Sequence, residues 1–395
     1  MIKFRYLLFF MLLAKAVGAQ TPAAFSTSKP WAYWWWPGSA VTETGITHNL
    51  EAFAKAGFGG LHIIPIYGAK GYESAFLSFL GPEWNQKFAF VLQEAKRLNL
   101  GIDMTLGTGW PLGGPTIQMA DAAKKYQIDS VMIPPNQVYQ LPAGDVHAAC
   151  VYVNGHYEQD LIRDQVRSFK AGANGASVYL LTQKGTGQQV KRAAPGGEGL
   201  VMDHFSKSAL ENYQAKFIPL LKQTKAPLRA IYNDSYEVYG ANYTPKLFEA
   251  FERLNNYDLR KHLNVLAKPK AETEEENAIW ADYHRTLASL LLTEFTQPFG
   301  AWINQMGFVS RDQAHGSPGN LLDLYAAVDI PETEFFGSKS FQIPGYQVDP
   351  DYDPIRFGIP DVRNLKLASS AANLTGKKLV SSETNTWLGN HFKVS

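Results

Sequence analysis

The sequence predicts an α/β fold of the (β/α)8 TIM-barrel type, incomplete at the C-terminus and carrying a β-rich insertion after the third strand. Three observations predict it. Short apolar runs alternate with amphipathic helical stretches through short links, a pattern that yields parallel strands and right-handed crossovers. Residues 116–205 break that rhythm with β-like runs separated by Pro, Gly, Asn and Gln. Carboxylates then stand at predicted strand ends, Asp234 and Glu237 after the fourth strand and Glu383 after the seventh, at the barrel end where catalytic groups sit.

The elements follow in order. Residues 31–36 are an aromatic strand closed by Pro37-Gly38. Residues 42–57 read as a helix that Thr42 caps and Gly57 stops, with Ile46, Leu50 and Phe53 on one face. Residues 60–67 form the second strand, with His62 inside it, and 84–98 the second helix. The third strand, 100–106, ends in Gly107-Thr108-Gly109-Trp110-Pro111. In the insertion, 130–133, 147–153 and 177–182 are β-like. A helix over 206–221 leads back to the fourth strand, 229–232. Helices are expected over 246–261 and most of 272–305, where the run from Glu272 to Glu276 suits the positive end of a helix dipole. The fifth strand is 308–311, followed by Asp312 and His315; a short helix covers 320–326. The sixth strand is 329–335, a helix covers 361–374, and the seventh strand is 378–382.

Twelve residues follow Glu383, fewer than the roughly 25 that an eighth strand and helix require. Something else is therefore expected to close the barrel, or the chain is a fragment. The expected division is 1–19 leader, 20–115 first half of the barrel, 116–205 insertion and 206–395 strands four to seven.

Composition narrows the function. Hydrophobic residues make up 45% and aromatics 13%, enough for a large core. A net charge of +1 argues against nucleic acid as a partner. Lys3 and Arg5, an apolar run over 6–13 and the small residues Val17-Gly18-Ala19 read as a secretory signal cut after Ala19, so a secreted or periplasmic location is expected. The apolar run is too short to span a bilayer, and no membrane association is expected after its removal. Cys150 is the single cysteine, which excludes an internal disulfide and reads as an inert buried thiol.

Two carboxylates at strand ends facing across a barrel mouth are what glycoside hydrolysis needs, one to protonate the leaving oxygen and one to act at the sugar carbon. The bland alternative is surface acids or helix caps. Other polar groups fall at or near strand ends: His62, Arg311, Asp312, His315, Glu332 and Glu334, candidates for substrate or for Ca²⁺, which takes several oxygen ligands. Trp34, Trp36, Trp110 and Trp387 are candidate sugar platforms, with core packing as the competing role. There is no Gly-x-Ser-x-Gly elbow, no His-Glu-x-x-His motif and no dinucleotide fingerprint.

With these residues in place, the sequence resembles glycoside hydrolase family 106, the α-L-rhamnosidases. The likeness runs from Trp34-Trp35-Trp36-Pro37-Gly38 through Gly45-Ile46-Thr47, Gly57-Phe58-Gly59-Gly60 and Gly107-Thr108-Gly109-Trp110-Pro111-Leu112-Gly113-Gly114-Pro115. It continues through Pro195-Gly196-Gly197-Glu198-Gly199, Asp234-Ser235-Tyr236-Glu237, Arg311-Asp312-Gln313-Ala314-His315-Gly316 and Ile330-Pro331-Glu332-Thr333-Glu334. The resemblance implies a barrel that releases terminal α-L-rhamnose from glycans with inversion, and a calcium ion near the sugar. It implies Glu237 as general acid, Asp234 as its support and Glu383 as the base. Family members look longer, so this chain alone is expected to have weak activity or none. A different barrel glycosidase, or a non-catalytic carbohydrate-binding fragment, are the rival readings.

Overall fold

The computed structural model describes residues 29–224, 226–335, 353–357, 359 and 361–384. The expected leader and Trp387 lie outside these. The chain starts with β1 (Trp31–Pro37), α1 (Glu43–Lys55), β2 (Gly60–Ile66), α2 (Pro82–Arg97) and β3 (Gly101–Thr105). Thr42 caps α1 through the Gly45 amide, and Pro82 opens α2, where a missing N–H costs nothing. β2 and β3 are almost wholly buried, as expected of parallel strands covered on both faces.

Residues 124–185 then form a four-stranded antiparallel sheet: β4 (Lys124–Ile133), β5 (Val146–Val153), β6 (His156–Asp160) and β7 (Ala176–Gly185), in the order β4-β7-β5-β6. It has its own apolar cluster, including Val151, Leu161, Val178 and Leu180. Cys150 is buried on β5, and burial pushes its thiol well up, so it is unreactive.

The chain returns through α3 (Lys207–Ala215) and α4 (Ile218–Gln223) to β8 (Leu228–Asn233). The single helix expected over 206–221 is two pieces, the second opened by Pro219. Then come α5 (Leu247–Asn255), α6 (Glu274–Leu290), α7 (Gln297–Gln305), β9 (Val309–Gln313), α8 (Leu321–Ala326), β10 (Ile330–Phe335), α9 (Val362–Leu374) and β11 (Ser381–Thr384). The helix expected over 246–261 stops early because Asn256 turns left-handed, φ +59°. The long helix over 272–305 carries a π-helical turn, Leu291–Thr296, just before Pro298, which cannot donate to the preceding turn.

β1, β2, β3, β8, β9, β10 and β11 form one parallel sheet in that order. Spatial order equals chain order, so every crossover runs the same way and no switch point arises, unlike a doubly wound sheet. The sheet curls. In a flat sheet β1 and β10 would stand about 24 Å apart, five spacings of ~4.8 Å. Yet the Tyr33 hydroxyl on β1 donates to Glu332 Oε1 on β10 at 2.5 Å. A parallel half-barrel results, with strand C-termini at one mouth.

Candidate active site

Two charged clusters occupy the inside of the curl, one deep and one at the C-terminal rim. The deep cluster starts from Asp103, a buried carboxylate in the middle of apolar β3. It accepts from Arg229 Nε at 2.9 Å and Nη2 at 2.5 Å, from the Ala230 amide at 3.2 Å and from Arg311 Nη1 at 3.2 Å. Arg311 also donates through Nε and Nη2 to Oε2 of Glu332, whose other oxygen is held by Tyr33. Two guanidiniums thus balance two carboxylates. His62 sits among them, with Nδ1 3.3 Å from Arg311 Nη1 and Nε2 2.9 Å from Thr105 Oγ1. A guanidinium only donates, so Nδ1 accepts and Nε2 carries the proton toward Thr105. Burial, then the charges of Arg311 and Arg229, hold His62 well below the usual histidine range, and it stays neutral.

The rim cluster is built around the loop after β8. Asp234 is buried directly past the strand. Its Oδ1 accepts from the Ser235 amide at 2.7 Å and lies 3.4 Å from the Tyr232 hydroxyl. Burial, then the charge of Glu383, push its carboxyl well above the aspartate range, so it keeps its proton where an ordinary aspartate has lost it. Glu383 on β11 accepts from Gln313 Nε2 at 3.1 Å and stands in register with Glu334 on β10. Glu237, whose side chain is 29% exposed, is gripped by Lys191 Nζ, the Tyr239 hydroxyl at 2.7 Å and Ser235 Oγ at 3.2 Å. Burial alone would raise its carboxyl, but these donors outweigh it and the net shift is downward. The lowered carboxyl is therefore that of Glu237, the acid implied by the resemblance, and the raised one is that of Asp234. His315 Nε2 lies 4.0 Å from Glu334 Oε2; burial lowers its pKa and the charge of Glu237 opposes that.

Lys191 belongs to a segment laid across the mouth. The Trp110 amide donates to Lys191 O at 3.0 Å, the Lys191 amide to Trp110 O at 2.7 Å, and the Tyr67 amide to Arg192 O at 3.0 Å. The first contact needs glycine at 109. A Cβ there would lie 1.8 Å from Lys191 O, and φ is +52°.

The predicted site residues separate. His315 and Glu334 lie at the rim with Glu237, Glu383 and Asp234. Arg311 and Asp312 fall within β9 and Glu383 within β11, rather than past the strand ends. His62 and Arg311 belong to the deep cluster, and with Glu383 line a cavity of about 500 Å³ between β1 and β11. Asp312 alternates to the opposite strand face from Arg311, where Asn233 Nδ2 donates to it at 2.5 Å; it is buried and does not face the mouth. Trp36 is no sugar platform. It is fully buried, edge-on to Trp34 at 5.6 Å and to Trp84 of α2 at 6.1 Å, and Trp34 shares that core. Trp110 is half-buried, and its backbone anchors the Lys191 segment.

Sequence reasoning missed Lys191, Tyr239, Tyr33, Asp103 and Arg229. A charge in the middle of the apolar run around Asp103 was a readable signal; Lys191 in an irregular loop had none.

Calcium was implied by resemblance. Among the described residues, no three His, Cys, Asp or Glu side chains converge to hold a metal ion. Glu332 is already engaged by Arg311 and Tyr33, and Asp234 favours its protonated form. No ion enters the chemistry below. Nor is any helix among them long and apolar enough to cross a membrane.

A curled parallel sheet with acids grouped at its C-terminal mouth has the build of a barrel glycoside hydrolase. The particular family follows from the sequence match: the alpha-L-rhamnosidase model of glycoside hydrolase family 106 matches residues 20–179 and 158–395, and the chain belongs to that family. A rhamnosidase from Novosphingobium sp. PP1Y has a similar fold, with TM-score 0.73 and 18% identity over 91% of this chain and 52% of that one. A protein of Formosa agariphila described as a putative beta-glucuronidase is 23% identical over 94% of this chain and 35% of its own length. A beta-galactosidase from Marinomonas ef1 aligns with TM-score 0.44 and 9% identity over 90% of this chain and 53% of that one, too weakly to bear on the site. The chain thus spans about a third of the first relative's length and about half of each structure's.

Proposed function

We propose that this chain forms the catalytic barrel of an inverting α-L-rhamnosidase that removes terminal α-linked L-rhamnose from glycans. The observation that carries the reading is the pair of acids at one mouth: Glu237, reachable past β8, and Glu383 on β11. Glu237 donates a proton to the glycosidic oxygen, while Glu383 takes one from the water that attacks the anomeric carbon on the opposite face. Neighbouring carboxyls do not both ionise readily. Asp234 holds its proton against the charge of the neighbouring Glu383, which leaves Glu383 to act as base. The deep cluster ties β1, β2, β3, β8, β9 and β10 together, and so fixes β8, which leads to Glu237, and β10, which pairs with β11.

An eighth strand seated in the cavity between β1 and β11 would close the barrel. The N-terminal leader would send the protein out of the cytoplasm.

Asp234, which keeps its proton, is a second candidate for the donor; its burial against the exposure of Glu237 favours Glu237. Rhamnose release from alkyl and dinitrophenyl α-L-rhamnosides separates the roles. Glu383→Gln should lose both by roughly 10²–10⁴-fold. Glu237→Gln should lose the alkyl series and retain most dinitrophenyl turnover, because that leaving group departs without a proton. NMR should show β-L-rhamnose formed first. Alkyl turnover that survives Glu237→Gln but not Asp234→Asn would move the acid to Asp234. Rhamnose binding without turnover, unchanged by Glu383→Gln, would favour a binding module.

A further inference from the structure

We propose that Lys191 and Arg192, set between Tyr67 and Tyr239 at the rim, form a leaving-group subsite that binds the carboxylate of a uronic-acid residue. We further infer that this carboxylate draws Lys191 off Glu237. The second half rests on Glu237 being the general acid.

The geometry sets out the subsite. Lys191 and Arg192 are adjacent, and backbone bonds fasten them to the loops after β2 and β3. Arg192 is held at φ +57°, a left-handed backbone that a long side chain seldom adopts. Its guanidinium lies 5.1 Å from the centre of the Tyr67 ring, and Nη1 donates to the Tyr67 hydroxyl at 3.1 Å. Among the described residues, no carboxylate lies within ion-pair distance of Arg192. Lys191 Nζ sits 4.4 Å from the Tyr239 ring centre and, among the described residues, pairs with Glu237 as its one anion. Tyr67 is 44% and Tyr239 58% exposed, so both offer amphipathic ring surface to a bound sugar. Two cations beside two exposed tyrosines match a sugar ring that carries a carboxylate, and the Arg fork suits bidentate pairing.

The position makes this the leaving-group side. Rhamnose is a neutral deoxy sugar and offers a cation nothing to pair with. If Glu237 reaches the glycosidic oxygen, the groups outward of Glu237 meet what lies beyond that oxygen.

The subsite also addresses a difficulty at Glu237. Lys191 and Tyr239 face it from their loops, Ser235 from its own, and His315 from the loop after β9 with Glu334 behind it. Held this way its carboxyl gives up its proton more readily than an ordinary glutamate, so less of it is armed to donate. A substrate carboxylate that takes Lys191 removes the strongest of these donors, and the Glu237 carboxyl can then bind a proton from solvent and pass it to the leaving oxygen. Acidic leaving groups would thus be favoured twice, by binding and by arming the acid.

The test titrates Glu237 by NMR in the full chain carrying ¹³C-glutamate, the resonance assigned by its loss in Glu237→Gln. The probes are methyl glucuronide and methyl glucoside. Methyl glucuronide should raise the proton affinity of Glu237 roughly tenfold, and methyl glucoside should leave it unmoved. Lys191→Met should raise the starting affinity and abolish the glucuronide effect. Arg192→Gln should weaken glucuronide binding roughly tenfold without moving the starting titration. No glucuronide-dependent change, or an equal change with the glucoside, overturns the proposal. None of these readouts needs turnover. If alkyl turnover survives Glu237→Gln, the acid assignment fails on its own, whatever the glucuronide does.

Discussion

The deep and rim clusters use the same ingredients, a carboxylate, a cation and a tyrosine, to opposite ends. Asp103, Arg311 and Glu332 expose 6% or less of their side chains, whereas Lys191 and Glu237 expose 34% and 29%. Buried charges carry a large desolvation penalty, so losing one partner leaves the other stranded. At the rim, water replaces either partner at little cost. The deep cluster can therefore fix strand geometry but cannot change state during a reaction. The rim pair can be exchanged, which is what a proton donor needs.

The comparison breaks most sharply at Arg311. Arg311→Met leaves Glu332 with only Tyr33, and should cost about 3–5 kcal/mol in urea unfolding. A cost under ~1 kcal/mol would mean that the deep cluster does not organise the curled sheet.

A second effect is set by pH. Burial pushes the Asp312 carboxyl up to about 7, although the amide of Asn233 opposes this. The unfolded carboxyl titrates near ~3.9, so the folded chain binds the extra proton in between. That contribution is complete below about pH 4 and is lost as pH rises toward 7. Unfolding free energy measured at both ends should therefore fall by on the order of 2–4 kcal/mol more in wild type than in Asp312→Asn. Equal pH dependence in both would show that Asp312 is ionised in the folded state.

Tyr33→Phe removes one buried donor from Glu332 and should cost ~1–3 kcal/mol by the same denaturation. The smallest effect is expected at the rim: Lys191→Met should shift stability by less than ~1 kcal/mol. A loss as large as that at Arg311 would make the Lys191 segment part of the scaffold and erase the distinction.

Much of the scaffold was legible. Short apolar runs and capped amphipathic stretches located the parallel strands and most helices, since those signals are local. The helices that moved did so for local reasons of their own, a left-handed Asn256 and the prolines at 219 and 298, whereas the seventh strand, expected over 378–382, is Ser381–Thr384, set by its pairing with β10. The tryptophans show the limit. In Tyr33-Trp34-Trp35-Trp36 every residue is aromatic, so no polar alternation says which two face the helices. Only the curl sent Trp34 and Trp36 into the core and Tyr33 toward Glu332.

By itself, then, the sequence determined the order of strands and helices and the positions of Asp234, Glu237 and Glu383, because periodicity and strand ends are set by neighbours along the chain. The protonation of the acids was decided by tertiary structure alone. Lys191 lies 46 residues from Glu237, and Glu383 stands on the last strand of the sheet, three places from the strand that Asp234 follows. A carboxyl's proton affinity depends on burial and on charges within a few ångströms, and here folding brought those charges from distant parts of the chain.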